Sequence, residues 1–110
     1  MRYGKKGETM KEYVKVSNIL ISFMQMSNDN RFIGSYETNQ RIYGMCDIIC
    51  RYIAIKENEK TEKGETLVNV DELIKAFMFL YDNDMLIHDS SDKKEDVLYQ
   101  ILGVITYHAL

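Results

Sequence analysis

The chain has 110 residues, a length typical of a single domain. Hydrophobic residues make up 45% and charged residues 28% of it, which excludes a disordered chain, a collagen-like chain and a coiled-coil rod. The longest apolar run, residues 101–105, is far shorter than the roughly 20 residues of a membrane-spanning helix. Residues 1–16 are polar and lack the apolar core of a secretory signal, so we expect a cytosolic, that is cytoplasmic, protein.

The charges are few and unevenly placed. A net charge of −3 provides no global basic field that would attract nucleic acid. Residues 1–15 sum to +3, whereas residues 82–96 sum to −4. Such a dipolar chain could associate head to tail, but solvated surface is the simpler interpretation of both stretches because exposed charges interact weakly.

Four segments show the 3.6-residue periodicity of amphipathic helices, at residues 17–27, 36–56, 71–81 and 92–109. The chain has no proline, so Gly, Asn, Asp and Ser must delimit these helices. The starts carry signals of this kind. Three side chains are predicted to cap the first, third and fourth helices, namely Ser17, Asp71 and Asp92, the last in a capping box with Glu95.

The helices group into two hairpins. Residues 56–65 form a charged stretch that we interpret as a solvated linker within a single domain, residues 1–110. It separates a first hairpin, residues 12–56, from a second, residues 66–110. The predicted fold is therefore all-α, a four-helix bundle-like pair of helical hairpins with approximate internal two-fold symmetry.

The two halves resemble each other along most of their length. The tetrapeptide Lys-Gly-Glu-Thr occurs at residues 6–9 and 63–66, and residues 13–17 align with residues 67–71. Fixed-offset similarity of this kind is typical of repeats, but two amphipathic hairpins can also converge on it. Further along, the alignment pairs Phe23 with Phe77, Phe32 with Leu86, Ile42 with Val97, Cys46 with Ile101, and Ala54 with Ala109.

A Val-x-Val motif precedes the first and third helices. Alternating β-branched residues suit a strand, so Val14–Val16 could pair with Val68–Val70 in a short two-stranded β-bridge that joins the hairpins. The alternative is that Val16 and Val70 simply lead into their helices. Farther along, Gly103 lies within an apolar helix, where glycine costs about 1 kcal/mol relative to alanine. We expect a close helix–helix crossing there.

No motif indicates a cofactor or a metal. Cys46 and Cys50 are four residues apart on a helix, too far for a disulfide, and we interpret them as reduced core residues. The polar clusters at residues 28–30 and 82–84 lack the ligand spacing and glycine of a calcium loop and are predicted to be turns that end in a short apolar plug.

Catalytic motifs are absent as well. There is no nucleophile elbow, P-loop or dinucleotide fingerprint. His88 beside Asp89 is a weak acid–base candidate, because adjacent residues seldom face each other. We therefore expect a protein that is not an enzyme.

An interaction surface is the function that remains. The first and third helices are apolar almost all round, more than four short helices can bury, which favours a homodimer. The halves differ most in their second helices, where Arg41, Tyr43 and Arg51 are the candidate partner-binding residues. The alternative for Arg51 is an ordinary surface pair with Asp47.

Two functions compete. The first is a small protein-interaction or regulatory module that binds an unknown protein partner. Its size, lack of motifs and richness in Ile, Lys and Asn suggest phage or mobile-element origin. The second is a nucleic-acid-binding regulator of helix-turn-helix type, in which Arg41 and Arg51 contact phosphates; the acidic net charge disfavours it.

Overall fold

The computed structural model describes residues 10–56, 61–62 and 65–110. Within these ranges it is mainly helical, with four helices in two contacting pairs, α1 with α2 and α3 with α4, so the predicted fold class is confirmed. None of the described helices is long and apolar enough to span a membrane. In chain order the elements are β1 (Tyr13–Lys15), α1 (Val16–Asn28), α2 (Tyr36–Lys56), β2 (Thr61–Glu62), β3 (Glu65–Asn69), α3 (Val70–Asp82) and α4 (Lys94–Ala109).

A small antiparallel sheet joins the two hairpins. Its strand order is β1-β3-β2, and Val14 lies opposite Val68 at the centre of the β1–β3 pairing. The predicted bridge is therefore confirmed, but Val16 and Val70 are the first residues of α1 and α3. The paired residues are therefore Tyr13–Lys15 and Leu67–Asn69, each one residue earlier in the chain than predicted, because each strand continues directly into its helix.

The predicted linker contains part of this sheet. Thr61 pairs with Thr66 and Glu62 with Glu65, which adds β2 to the edge of β3. The rest of the predicted linker, residues 57–60 and 63–64, lies outside the described residues. The same holds for most of the repeated tetrapeptide, at residues 6–9 and 63–64.

The predicted helix caps are wrong. Ser17 and Asp71 lie within the first turn, because α1 and α3 already begin at valine, and α3 is capped instead by Asn69, whose Oδ1 accepts a hydrogen bond of 2.9 Å from the amide of Glu72. Asp92 precedes the cap position of α4, which Lys93 occupies without a side-chain cap bond. At both α1 and α3 a paired strand continues directly into the first turn of the helix.

The core lies between the hairpins and uses equivalent positions of both. Phe32 and Leu86 are buried after the polar turns, so the prediction of an apolar plug is confirmed at both places. Helix positions predicted to correspond are buried in pairs as well. These pairs are Ile19 and Leu73, Phe23 and Phe77, Ile42 and Val97, Cys46 and Ile101, and Ala54 and Ala109.

The internal two-fold symmetry extends to the backbone. Helices α1 and α3 each have 13 residues and begin 54 positions apart, at Val16 and Val70. After them, Asn30 and Asp84 both adopt left-handed φ angles, 55° and 58°. Three backbone hydrogen bonds close the turn after α1, and the three bonds between residues 54 positions later close the turn after α3. Since Val14 pairs with its own counterpart Val68, the approximate two-fold axis passes between these residues.

Candidate functional site

Two surface grooves lie at equivalent places in the two halves. The first, which we call the polar groove, has a volume of about 430 Å³ and lies between α1 and α4, lined by Ser22, Gln25, Met26, Arg31, Gln100, Gly103, Val104 and Tyr107. The second, the apolar groove, has a volume of about 450 Å³ and lies between α2 and α3, lined by Arg41, Gly44, Met45, Ile48, Ile49, Leu80, Met85 and Ile87.

The internal symmetry relates the two linings residue by residue. Residues of α1 and its following turn correspond to residues 54 positions later, and residues of α2 to residues 55 positions later. Five lining positions match under this relation, and their chemistry differs between the grooves. The matched pairs are Met26 and Leu80, Arg31 and Met85, Gln100 and Met45, Gly103 and Ile48, and Val104 and Ile49.

Two residues that line the polar groove, Gln100 and Ser22, are hydrogen-bonded to other parts of the molecule. The carboxamide of Gln100 accepts a 2.8 Å hydrogen bond from the Ile33 amide and donates one of 2.9 Å to the Arg31 carbonyl. Ser22 Oγ and His108 Nε2 lie 2.6 Å apart. Partial burial and the nearby Lys11 lower the pKa of His108, which favours the neutral ring. These bonds join α4 to α1 and its turn.

Gly103, which lines the polar groove, does not mark a tight helix–helix crossing. A Cβ at Gly103 would meet no atom within 4 Å among the described residues, so the predicted close approach of another helix is wrong. Gly103 occupies the position equivalent to Ile48 and faces outward. The absence of a side chain there leaves the polar groove open.

The apolar groove exposes large apolar side chains at two positions where its counterpart has Gly103 and Arg31. Ile48 is 69% exposed and Met85 is 58% exposed, although both are among the residues that most favour burial. Arg41 is the charged residue that lines the groove. Within residues 10–56, 61–62 and 65–110, no carboxylate pairs with its guanidinium. The groove therefore offers an apolar surface with one available cation.

The structure divides the candidate partner-binding residues between two sides of α2. Arg41 lies in the apolar groove, whereas Tyr43 and Arg51 line a smaller cavity of about 230 Å³ between α1 and α2. Arg51 Nε lies 2.5 Å from Asp47 Oδ1, so the i, i+4 pair that was the alternative interpretation of Arg51 is present. Arg41 thus lies apart from the other two candidates.

Neither cysteine faces a groove. Cys46 and Cys50 are buried free thiols, and burial raises the pKa of Cys46 and raises that of Cys50 to about 12. High pKa values keep both thiols protonated and poorly nucleophilic at neutral pH. Among the described residues, no group of three or more His, Cys, Asp or Glu side chains could hold a metal ion.

The candidate pair of His88 and Asp89 is not joined through its side chains. His88 Nδ1 contacts the backbone oxygen of Asp89 at 2.9 Å. The Asp89 carboxylate instead accepts hydrogen bonds from the Thr38 hydroxyl and, at 2.7 Å, from the Ser35 amide at the start of α2. Asp89 therefore attaches the second hairpin's loop to the first hairpin.

Sequence reasoning missed the residues that distinguish the grooves. Gln100, Met45 and Met85 belong to no motif, and each reads as an ordinary helix or turn residue. The available signal was the internal alignment, which places Gln100 opposite Met45 once Cys46 is paired with Ile101. Comparison with protein-family models, with curated proteins and with solved structures finds no significant match to this chain.

Proposed function

We propose that this chain is a small non-enzymatic protein-interaction module that pairs with a second copy of itself through the apolar groove. The observation that carries the proposal is the contrast between the equivalent grooves. In one, Ser22 and Gln100 are already hydrogen-bonded, and the other presents Ile48, Met85 and Ile87 beside an available arginine. Exposed apolar surface of this kind, rimmed by a polar residue, is typical of protein–protein contacts.

A homodimer suits the shape of this surface. Exposed side chains on the rim of an apolar groove can enter the equivalent groove of a second copy, and a two-fold arrangement buries both sets at once. Ile48 on α2 and Met85 on the turn after α3 are such rim residues. Arg41 can then bind a carboxylate at the edge of the contact, where arginine is favoured.

Several features agree with a role that involves no chemistry. Ser22 and Gln100 of the polar groove already have hydrogen-bond partners, and the buried thiols are held protonated. Free cysteines also fit the cytoplasm, where thiols stay reduced. A module of phage or mobile-element type that acts on a further protein partner, with Tyr43 and Arg51 as contacts, remains our prediction for its wider role.

The test is the oligomeric state of the intact chain. Sedimentation velocity over a range of concentrations should show a dimer for the wild type and a monomer for Ile48→Glu. The variant dimer would have to bury two unpaired carboxylates, one from each copy, against an apolar surface. The control Tyr99→Glu changes an equally exposed residue of α4 outside both grooves and should remain dimeric. A wild-type chain that is monomeric at every concentration would refute the proposal.

The competing nucleic-acid function has a separate readout. Titration with duplex DNA at about 50 mM and about 200 mM salt should show no binding that weakens steeply with salt. Salt-dependent binding that is lost in Arg41→Ala would support the helix-turn-helix regulator instead.

A further inference from the structure

The polar groove contains a bridge that mimics strand pairing. Gln100 accepts from the Ile33 amide and donates to the Arg31 carbonyl, so a single carboxamide binds the C=O of one residue and the N–H of the residue two positions later. Those two groups are the ones that an extended segment presents along one edge to an antiparallel neighbour. The bridge therefore occupies a short edge of backbone with a side chain.

The equivalent backbone groups beside the apolar groove, the carbonyl of Met85 and the amide of Ile87, have no such bridge. Leu86 is buried like its counterpart Phe32, and the flanking Met85 and Ile87 line the groove. Methionine takes the position of the bridging glutamine, at Met45, and a thioether has no N–H to donate. No hydrogen bond joins the Met85 carbonyl or the Ile87 amide to another residue in the described ranges.

Such an edge is complementary to itself. In an antiparallel pair with a two-fold axis at one residue, the carbonyl before that residue accepts from the amide after the same residue on the other chain. With the axis at Leu86, Met85 and Ile87 of each copy would exchange two hydrogen bonds. Unpaired edges of this kind are templates for pairing with another chain.

We infer that two copies of this chain pair through residues 85–87, as antiparallel backbone about a two-fold axis at Leu86. This inference rests on the proposed function and specifies how the dimer forms. Met85 and Ile87 of each copy lie over the apolar groove of the other, next to Ile48, and the backbone bridge supplies the hydrogen bonds that Gln100 supplies in the polar groove.

The charges favour a second copy as the occupant. Exposed Asp82 lies three residues before Met85, and Asp84, whose carboxylate is 3.0 Å from Lys94 Nζ, directly precedes it, so docking brings acidic side chains to the groove that Arg41 lines. Opposite charges at the rim of a contact select the partner and its register.

Met45→Gln tests the inference by restoring the internal bridge. Glutamine at position 45 should bind the Met85 carbonyl and the Ile87 amide within one copy, as Gln100 does at the equivalent place. We expect the dimer dissociation constant, measured by sedimentation, to rise at least about tenfold. The control Met78→Gln introduces the same side chain at an exposed site of α3 outside the grooves and should leave the constant unchanged.

Amide hydrogen exchange of Ile87, followed by NMR, is the second measurement and needs no substitution. In the wild type it should slow at least about tenfold between monomeric and dimeric concentrations, because the amide becomes hydrogen-bonded in the dimer. An Ile87 amide that exchanges equally fast in monomer and dimer would overturn the backbone pairing while leaving the groove dimer intact. A Met45→Gln chain that protects Ile87 and still dimerises like the wild type would overturn it too.

Discussion

Asn39 is a fully buried amide that holds the turn after α1 in place. Its Oδ1 accepts a 2.9 Å hydrogen bond from the Phe32 amide, and its Nδ2 donates one of 2.7 Å to the Ser35 carbonyl. Buried backbone groups that lose a partner cost roughly 1–3 kcal/mol each. This side chain therefore matters more to the fold than its place near a helix start indicates.

Asn39→Ala should consequently lower the free energy of unfolding by about 1–3 kcal/mol, because the amide of buried Phe32 loses its partner, while the Ser35 carbonyl keeps its 2.9 Å bond from the amide of residue 39. Urea denaturation monitored by circular dichroism measures the change. Asn18→Ala, at an exposed site of α1, is the matched control and should stay within about 0.5 kcal/mol of the wild type. Equal losses in the two variants would contradict this role of Asn39.

Asp89 makes stability depend on pH. Hydrogen bonds from the Thr38 hydroxyl and the Ser35 amide hold the pKa of its carboxyl below the usual value. A carboxyl whose pKa is lower in the folded chain than in the unfolded one stabilises the fold above its unfolded pKa. That contribution is lost as the pH falls through the folded pKa.

Asp89→Asn should therefore flatten the acid side of the stability profile. Between about pH 5 and about pH 3, the urea midpoint should fall less in this variant than in the wild type. Asp71→Asn removes an exposed carboxylate of α3 and should retain the wild-type fall. If Asp89→Asn retains it as well, the carboxylate does not stabilise the junction of the hairpins.

At the scale of elements, periodicity predicted the helices and their approximate bounds, whereas the capping residues were predicted wrongly. All four helices lie within two residues of the predicted bounds, because apolar spacing reports the buried face directly. The predicted caps were wrong because β1 and β3 run straight into α1 and α3. Strand β2 was missed, since two polar residues that pair through the backbone leave no hydrophobic pattern.

Gly103 lowers the stability of helix α4. Glycine within a helix costs about 1 kcal/mol relative to alanine, and a Cβ here would meet no atom of the described residues within 4 Å. Gly103→Ala should therefore raise the melting temperature measured by circular dichroism. Gly34→Ala should lower it, because Gly34 has a φ of +116° and its Cβ would lie 2.9 Å from Asp89 Oδ2. A lower melting temperature for Gly103→Ala would show an unrecognised contact at the groove floor.

At the scale of the molecule, the internal alignment predicted which residues occupy equivalent positions but not what those residues do. It paired buried positions correctly, such as Cys46 with Ile101, because both hairpins bury the same face. The same alignment places Gln100 opposite Met45, one of which bridges a backbone edge while the other leaves it open. That difference depends on a turn distant in sequence, so periodicity alone could not show it.

The β1–β3 pairing is the place where the two hairpins depend on each other. Val14 and Val68 are buried cross-strand partners at the approximate two-fold axis, and each replacement by alanine should cost about 1–3 kcal/mol. Because cross-strand neighbours share contacts, the double variant should depart from additivity by at least about 0.5 kcal/mol in a denaturation cycle.

Val97 supplies the control for that cycle. It is as fully buried as Val68 but lies in the first turn of α4. The segment before β1 contacts the opposite end of that helix, where the Lys11 amide donates to the Ala109 carbonyl at 2.7 Å. Val14→Ala and Val97→Ala should therefore add within about 0.5 kcal/mol. Additive costs for Val14 and Val68 would mean that the hairpins are held together by helix packing alone, with the strand pairing contributing no coupling between them.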